Sequence, residues 1–142
     1  MKEEKRVVAR NKKAHHDYFI LDTYECGIVL TGTEIKSIRA SKVSIQDAYC
    51  SVKNNELYVV NMHIAKYDQG NIFNHNEIRD RKLLAHRSEI RKMVGKTSQE
   101  GLTLIPLEVY IIKGFAKVLV GLAKGKKNYD KRESLKEKER NR

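Results

Sequence analysis

A small, mainly β protein whose antiparallel strands, about six of them, close into a barrel with two or three short helices is what these 142 residues predict. Three features predict it. Short runs rich in β-branched and aromatic residues alternate with turn residues. Two dipeptides, Asn54-Asn55 and Lys113-Gly114, sit between such runs at hairpin spacing. Helical spacing of apolar residues is confined to two stretches, and a chain this short removes bare sheet edges by closing the sheet on itself.

The elements follow in order. Residues 18–30 read as a long strand with Tyr24, Cys26, Ile28 and Leu30 on one face, and Gly27 inside it predicts a bend or bulge. Thr31-Gly-Thr-Glu34 has capping-box spacing and opens a short helix that buries Ile35 and Ile38. Residues 48–52 and 57–64 form a hairpin about Asn54-Asn55, and residues 81–85 add a sixth short strand. From His86 to about Glu100, Ile90, Met93 and Val94 recur at helical spacing; Gly95 is expected to interrupt this helix and Gly101 to stop it. Residues 102–112 and 115–123 make the second hairpin. In the first of these strands Leu102 and Leu104 fall on even positions, then Leu107, Val109 and Ile111 on odd ones, with Pro106 at the shift as in a bulge.

Charge divides the chain further. The formal charge is +11, from 29 basic and 18 acidic residues. Residues 1–16 hold six basic and two acidic groups, residues 77–96 seven and three, and residues 124–142 nine and four, so the remainder is slightly acidic. A near-neutral body with single-sign patches is the footprint of a nucleic-acid binder, whose cations neutralise phosphates and release counterions. The division expected is a body over residues 1–123, led by a basic segment at 1–16, and a basic tail at 124–142. That tail has too little apolar surface to order itself, yet from Asp130 onward it lacks Pro and Gly. Glu133 with Lys136, Glu137 with Arg140 and Glu139 with Arg142 sit at helical spacing. It is expected to be unfolded when free and helical when a polyanion surrounds it.

Other classes fall away. Met1-Lys-Glu-Glu-Lys-Arg leads into no apolar segment, and no apolar run is long enough to span a bilayer, so a cytoplasmic protein without a membrane partner is expected. Cys26 and Cys50 lie in strand-like segments without C-x-x-C pairing and read as reduced, buried residues. No phosphate-binding loop, nucleophile elbow or zinc-hydrolase motif occurs. His15-His16 beside Asp17, and His75 near Glu77, match no common metal spacing. Histidines beside Lys12-Lys13 suit stacking on bases or hydrogen bonding to phosphates. A binding protein with no catalytic residue, metal or cofactor is expected.

Asn11-Lys-Lys-Ala-His-His-Asp-Tyr-Phe-Ile20 and Glu25-Cys-Gly-Ile-Val-Leu-Thr-Gly-Thr-Glu-Ile-Lys-Ser-Ile-Arg-Ala40 closely resemble the start of the small protein B family, bacterial partners of transfer-messenger RNA (tmRNA). The resemblance continues through Gln69-Gly-Asn-Ile-Phe-Asn-His75, Arg81-Lys-Leu-Leu84, Gly101-Leu-Thr-Leu-Ile-Pro-Leu107 and Ala123-Lys-Gly-Lys-Lys-Asn-Tyr-Asp-Lys-Arg132. It implies an oligonucleotide/oligosaccharide-binding (OB) barrel with added helices. It also implies trans-translation: binding the tRNA-like domain of tmRNA and delivering it to stalled ribosomes. Elongation factor Tu and alanyl-tRNA synthetase are implied as partners through tmRNA, and small-subunit ribosomal RNA as the partner of the tail. Cys26 stands where members usually carry a smaller residue, and Tyr129 where some carry His.

The resemblance places Asn11, Tyr18, Glu25 and Leu84 at tmRNA-binding positions. Asn11 reads a base edge or serves as a turn residue; Tyr18 stacks or packs in the core; Glu25 accepts from a base amino group or holds a basic neighbour. Lys12, Lys13, Arg81, Lys82, Lys124, Lys126 and Lys127 are assigned to phosphates, with His16 beside them. Tyr129, Asp130, Lys131 and Arg132 match the segment expected at the decoding centre, followed along the mRNA channel by Lys136, Lys138 and Arg140.

Overall fold

The computed structural model describes residues 5–67 and 74–126. In chain order the elements are β1 (Lys5–Arg10), α1 (Ala14–Asp17), β2 (Tyr18–Ile28), α2 (Gly32–Arg39), β3 (Val43–Ser44), β4 (Tyr49–Lys53), β5 (Glu56–Val60), β6 (His63–Ile64), β7 (Arg81–Leu84), α3 (Arg87–Glu100), β8 (Thr103–Ile112) and β9 (Phe115–Gly125). The main sheet runs β1-β8-β4-β5-β7-β2-β9, and the β8–β9 pairing closes it. Six strands therefore form the ring, as the strand count predicts, while β1 lies along the far edge of β8 and β3 pairs with β6 apart from it.

Local chemistry explains most of this. Asn54 (φ 51°) and Asn55 (φ 63°) both take the left-handed conformation that a two-residue hairpin between right-twisted strands needs. Lys113 (φ 52°) and Gly114 (φ 78°) do the same between β8 and β9. At the start of α2 the Thr31 side chain accepts from the Glu34 N–H, and the Glu34 carboxylate accepts from the Thr31 N–H at 2.8 Å, which completes the capping box. Gly101, at φ 64°, ends α3.

Several expectations are corrected. Gly95 does not interrupt α3, which passes through it to Glu100. The bulge in β2 lies between Ile20 and Asp22, and Gly27 instead gives room to Leu84: a Cβ there would stand 3.3 Å from the Leu84 Cβ. Residues 57–64 are not one strand, because Asn61 turns left-handed (φ 62°) and sends His63 and Ile64 to the small sheet. Residues 5–10 form a strand that the sequence reading treats only as a basic segment.

Two apolar cores result. The barrel interior holds Cys26, Leu57, Val59, Leu83, Val109, Val118 and Val120, with Ile38 from α2 and Met93 from α3. Its two cysteines are free thiols, and burial, reinforced by the charges of Glu89 and Glu25, pushes Cys26 up to about 12. The second core lies outside the ring: Ala14, Ile105, Leu107 and Ala123, with Tyr18, Ile20 and Leu119 against it. The Pro106 shift is present, between Pro106 and Glu108, but Leu107 joins Ile105 in this outer cluster instead of following Val109 inward. That cluster fastens α1 and the start of β2 onto β8 and β9.

Candidate nucleic-acid interface

The pairing of β2 with β9 brings two basic segments together. Tyr18 faces Gly125, Phe19 faces Lys124 and Ile20 faces Ala123. Lys126 Nζ donates to the His15 carbonyl at 3.0 Å and lies 4.9 Å from the centroid of the Phe19 ring. The turn bearing Lys12, Lys13, His15 and His16, all exposed, thus adjoins Lys124 and Lys126 at one end of the barrel. Ala14, 1% exposed, seats that turn on the outer core. Phe19 is 45% exposed within this patch, an aromatic the sequence reading passes over.

The predicted residues divide by accessibility. Asn11 is buried: its amide Nδ2 donates to the carbonyls of Pro106 (3.2 Å) and Ile45 (3.5 Å), and its own N–H donates to the Leu107 carbonyl at 2.9 Å. The base-edge reading of Asn11 gives way to an anchoring role, because it ties the basic turn to the β8 bulge. Tyr18 is half-buried against the outer core, which favours the packing alternative. His16 is exposed, with Nδ1 3.2 Å from the Asp17 carboxylate.

Arg81 is corrected outright. Its side chain is 0% exposed. Its Nε donates to Glu34, and its Nη1 donates to the Met62 carbonyl at 2.6 Å. Its Nη2 donates to the carbonyls of Asn76 and Glu77, each at 3.2 Å. Arg79 adds two hydrogen bonds to the same carboxylate, at 2.6 and 3.1 Å. Burial alone would push Glu34 up, but the hydrogen bonds from Arg79, the Thr31 N–H and Arg81 outweigh it and hold the carboxyl at about 2. A guanidinium closed in this way has no face for a phosphate; it binds the loop around residues 76–77 to α2. His75 belongs to the same loop. Its Nε2–H donates to the Ile64 carbonyl at 2.9 Å, and its Nδ1 lies 2.9 Å from Thr33 Oγ1, so both ring nitrogens are engaged.

A second accessible group lies farther along β2. Gly27 pairs with Leu84, which is 52% exposed, and Glu25 lies two residues away on the same strand face. Glu25 accepts a hydrogen bond from the Tyr110 hydroxyl, so its carboxylate is held by a buried phenol and not by a basic neighbour. Burial, then Glu25 itself, keeps that phenol well above its ordinary pKa. Lys82 projects beside Leu84 and donates to Glu56 at 2.9 Å. Seven residues of strand separate Tyr18 from Glu25, roughly 23 Å at about 3.3 Å each. The structure therefore divides the predicted residues into a cationic end and a flank with Glu25, Lys82 and Leu84. Lys127, Tyr129, Asp130, Lys131, Arg132, Lys136, Lys138 and Arg140 lie outside the described residues.

Among the described residues no group of three or more His, Cys, Asp or Glu side chains is placed to hold a metal ion, and no helix is long and apolar enough to cross a membrane.

The family profile described as SmpB protein matches residues 8–142. An SsrA-binding protein of Acetivibrio thermocellus is 62% identical over 134 residues, covering 94% of this chain and 87% of that protein. Another from Enterococcus faecalis is 56% identical over 138 residues, covering 97% and 90%. The barrel is also similar to a solved chain described as "tmRNA-SmpB: a journey to the center of the bacterial ribosome". The TM-score there is 0.69 with 50% identity, over 82% of each chain. With a profile spanning nearly the whole sequence and relatives well above half identical, the chain belongs to the SmpB protein family.

Proposed function

We propose that this chain binds the tRNA-like domain of tmRNA and delivers it to stalled ribosomes for trans-translation, acting in the cytoplasm as a binding factor without a catalytic step of its own. The observation that carries this reading is the junction at Lys126. There two cationic segments, 111 positions apart where Lys126 meets His15, form one surface on a rigid barrel. Folded RNA offers phosphates at fixed separations, so lysines held on a scaffold recognise its shape where a flexible basic chain would only neutralise it.

Lys12, Lys13, His16, Lys124, Lys126 and Lys127 take phosphates in this reading. Tyr18 and Asn11 set the turn that carries the first of them. Glu25, Lys82 and Leu84 contact the RNA farther along the barrel. Elongation factor Tu and alanyl-tRNA synthetase are engaged only through the RNA. The tail serves the ribosome: Tyr129 stacks near the decoding centre with Asp130, Lys131 and Arg132, and Lys136, Lys138 and Arg140 follow the empty mRNA channel.

A competition experiment tests the reading. The labelled tRNA-like domain is bound to the full chain and challenged with unstructured RNA of equal length. Retention against an equal concentration of competitor is expected; displacement at that ratio refutes recognition of the folded domain.

A further inference from the structure

A phenol is buried on the outer face of the barrel, away from both apolar cores. Tyr110 shares that face of β8 with Glu108, while Val109 between them points into the barrel. Tyr110 is nevertheless 1% exposed. Lys5 of β1 covers its ring, with Nζ 4.2 Å from the ring centroid, and donates to Glu108 Oε1 at 3.0 Å. Arg10, farther along β1, holds the other Glu108 oxygen at 3.4 Å. The hydroxyl emerges on the far side of β9. Lys117 of that strand faces Tyr110 on one side and Gly27 on the other, and Leu119 likewise faces Glu108 and Glu25. The phenol therefore crosses β9 diagonally, over two strand spacings of about 4.8 Å each. There it donates to Glu25 Oε2.

A phenol buried for packing alone needs only a buried acceptor, whereas this one is given an exposed carboxylate. Among the described residues Glu25 makes no ion pair, and its Oε1 has no partner. A free glutamate side chain loses rotamer freedom when it docks; one already held has lost that freedom on folding. A carboxylate only accepts, so it takes a base amino or imino group, or a ribose hydroxyl, and repels phosphate. A neutral phenol holds it without changing that preference. A lysine in the same place would pair with the carboxylate and attract phosphate as well. Burial, then Glu25 itself, raises the phenol pKa well above its ordinary value, so the hydroxyl remains a donor across the physiological range.

We infer that Tyr110 is a positioning residue for RNA recognition: its ring is clamped under Lys5, and its hydroxyl aims Glu25 so that Oε1 meets a hydrogen-bond donor on the RNA. The inference rests on the RNA-binding reading above and adds the group that orients the acidic contact of the body. It also gives β1 a role other than phosphate binding, since the charge of Lys5 is committed to Glu108 and to the ring.

The test titrates the full chain with the tRNA-like domain of tmRNA at several salt concentrations, comparing Tyr110→Phe, Glu25→Ala and the double variant with the parent. Each single change should weaken binding about tenfold, the loss of one hydrogen bond to a charged group. The salt slope should stay that of the parent, because no phosphate contact is lost. The double variant should bind within about twofold of Glu25→Ala alone, since a phenol that acts through Glu25 then has nothing left to position. Tyr110→Phe keeps the ring, and so the packing beneath Lys5. A readout that needs no variant is the Tyr110 hydroxyl proton in nuclear magnetic resonance, which should exchange slowly and persist when RNA binds. Four results would each overturn the positioning role and leave RNA binding standing: Tyr110→Phe binding within about twofold of the parent, losses that multiply in the double variant, a lowered salt slope, or disappearance of the hydroxyl proton on adding RNA. Failure of the unaltered chain to bind the RNA would instead remove the function on which the inference rests.

Discussion

Lys126 lies across the exposed ring of Phe19 and reaches the carbonyl of His15, so a residue near the end of the last strand closes over a turn near the start of the first long one. A cation stacked on an aromatic face and hydrogen-bonded to backbone is held in place, and a held cation loses less freedom on meeting a phosphate.

Lys126→Ala should therefore weaken RNA binding and lower its salt slope by about one, with Lys126→Ala and Lys127→Ala together lowering it by up to about two. Filter binding or fluorescence titration from low to high salt measures this. A slope equal to that of the parent chain would take both lysines out of the interface.

The Glu34–Arg81 pair should dominate acid sensitivity. With its carboxyl held at about 2 against an ordinary value of 4.5, Glu34 contributes stability that is fully present above pH 4.5 and is lost as pH falls toward 2. The shift corresponds to about 3 kcal/mol. Glu34→Gln leaves the Arg81 charge buried without its counter-ion, and should cost about 3–5 kcal/mol at neutral pH while flattening the acid limb. Urea unfolding at pH 7, 4 and 3 distinguishes the two proteins. Parallel curves across that range would show that the pair is not the acid-labile element.

Gly121 and Leu107 should behave as a coupled pair. A Cβ at Gly121 would meet Leu107 Cδ1 at 2.8 Å and Cγ at 3.0 Å, so Gly121→Ala should destabilise by about 1–3 kcal/mol. Leu107→Ala alone should cost about 2–4 kcal/mol by emptying the outer core. The double variant should lose less than the sum, because the cavity accepts the new methyl group. Since that core seats the basic turn, RNA affinity should fall in step with Leu107→Ala. Strict additivity in a denaturation cycle would contradict the contact.

Deleting residues 131–142 should leave affinity for the tRNA-like domain within about twofold while abolishing peptide tagging on stalled ribosomes, since in the proposed reading body and tail serve different partners. Paired RNA-binding and tagging assays decide it. Parallel loss of both activities would contradict that separation.

Much of the barrel is legible in the sequence because its turns carry their own chemistry. Asn54-Asn55 and Lys113-Gly114 can occupy the left-handed region, and Thr31 with Glu34 can cap a helix, whatever surrounds them. What escapes depends on distant partners. β1 hides because its apolar residues, Val7, Val8 and Ala9, are flanked by Arg6 and Arg10 and only half-buried along one edge of β8. Arg81 looks like a surface cation, since the carboxylate that makes its burial tolerable lies 47 positions earlier. Leu107 keeps an inward period on paper; only the bulge beside it shows that the strand has rolled outward. The cationic residues were recognisable singly. Their assembly was not, because the zipper of β2 on β9 that joins them has no local signature.

That zipper sets a mechanical condition. Strand β9 ends at Gly125, within one strand spacing (about 4.8 Å) of the place where β2 begins, and Lys126 follows it directly. Any load applied to the polymer beyond that point is borne first by the clasp over Phe19 and His15, then by the Tyr18–Gly125 rung. In the proposed reading RNA would be gripped at this same mooring, so slack between load and RNA would be nearly nil and a tug on one would be felt at once by the other.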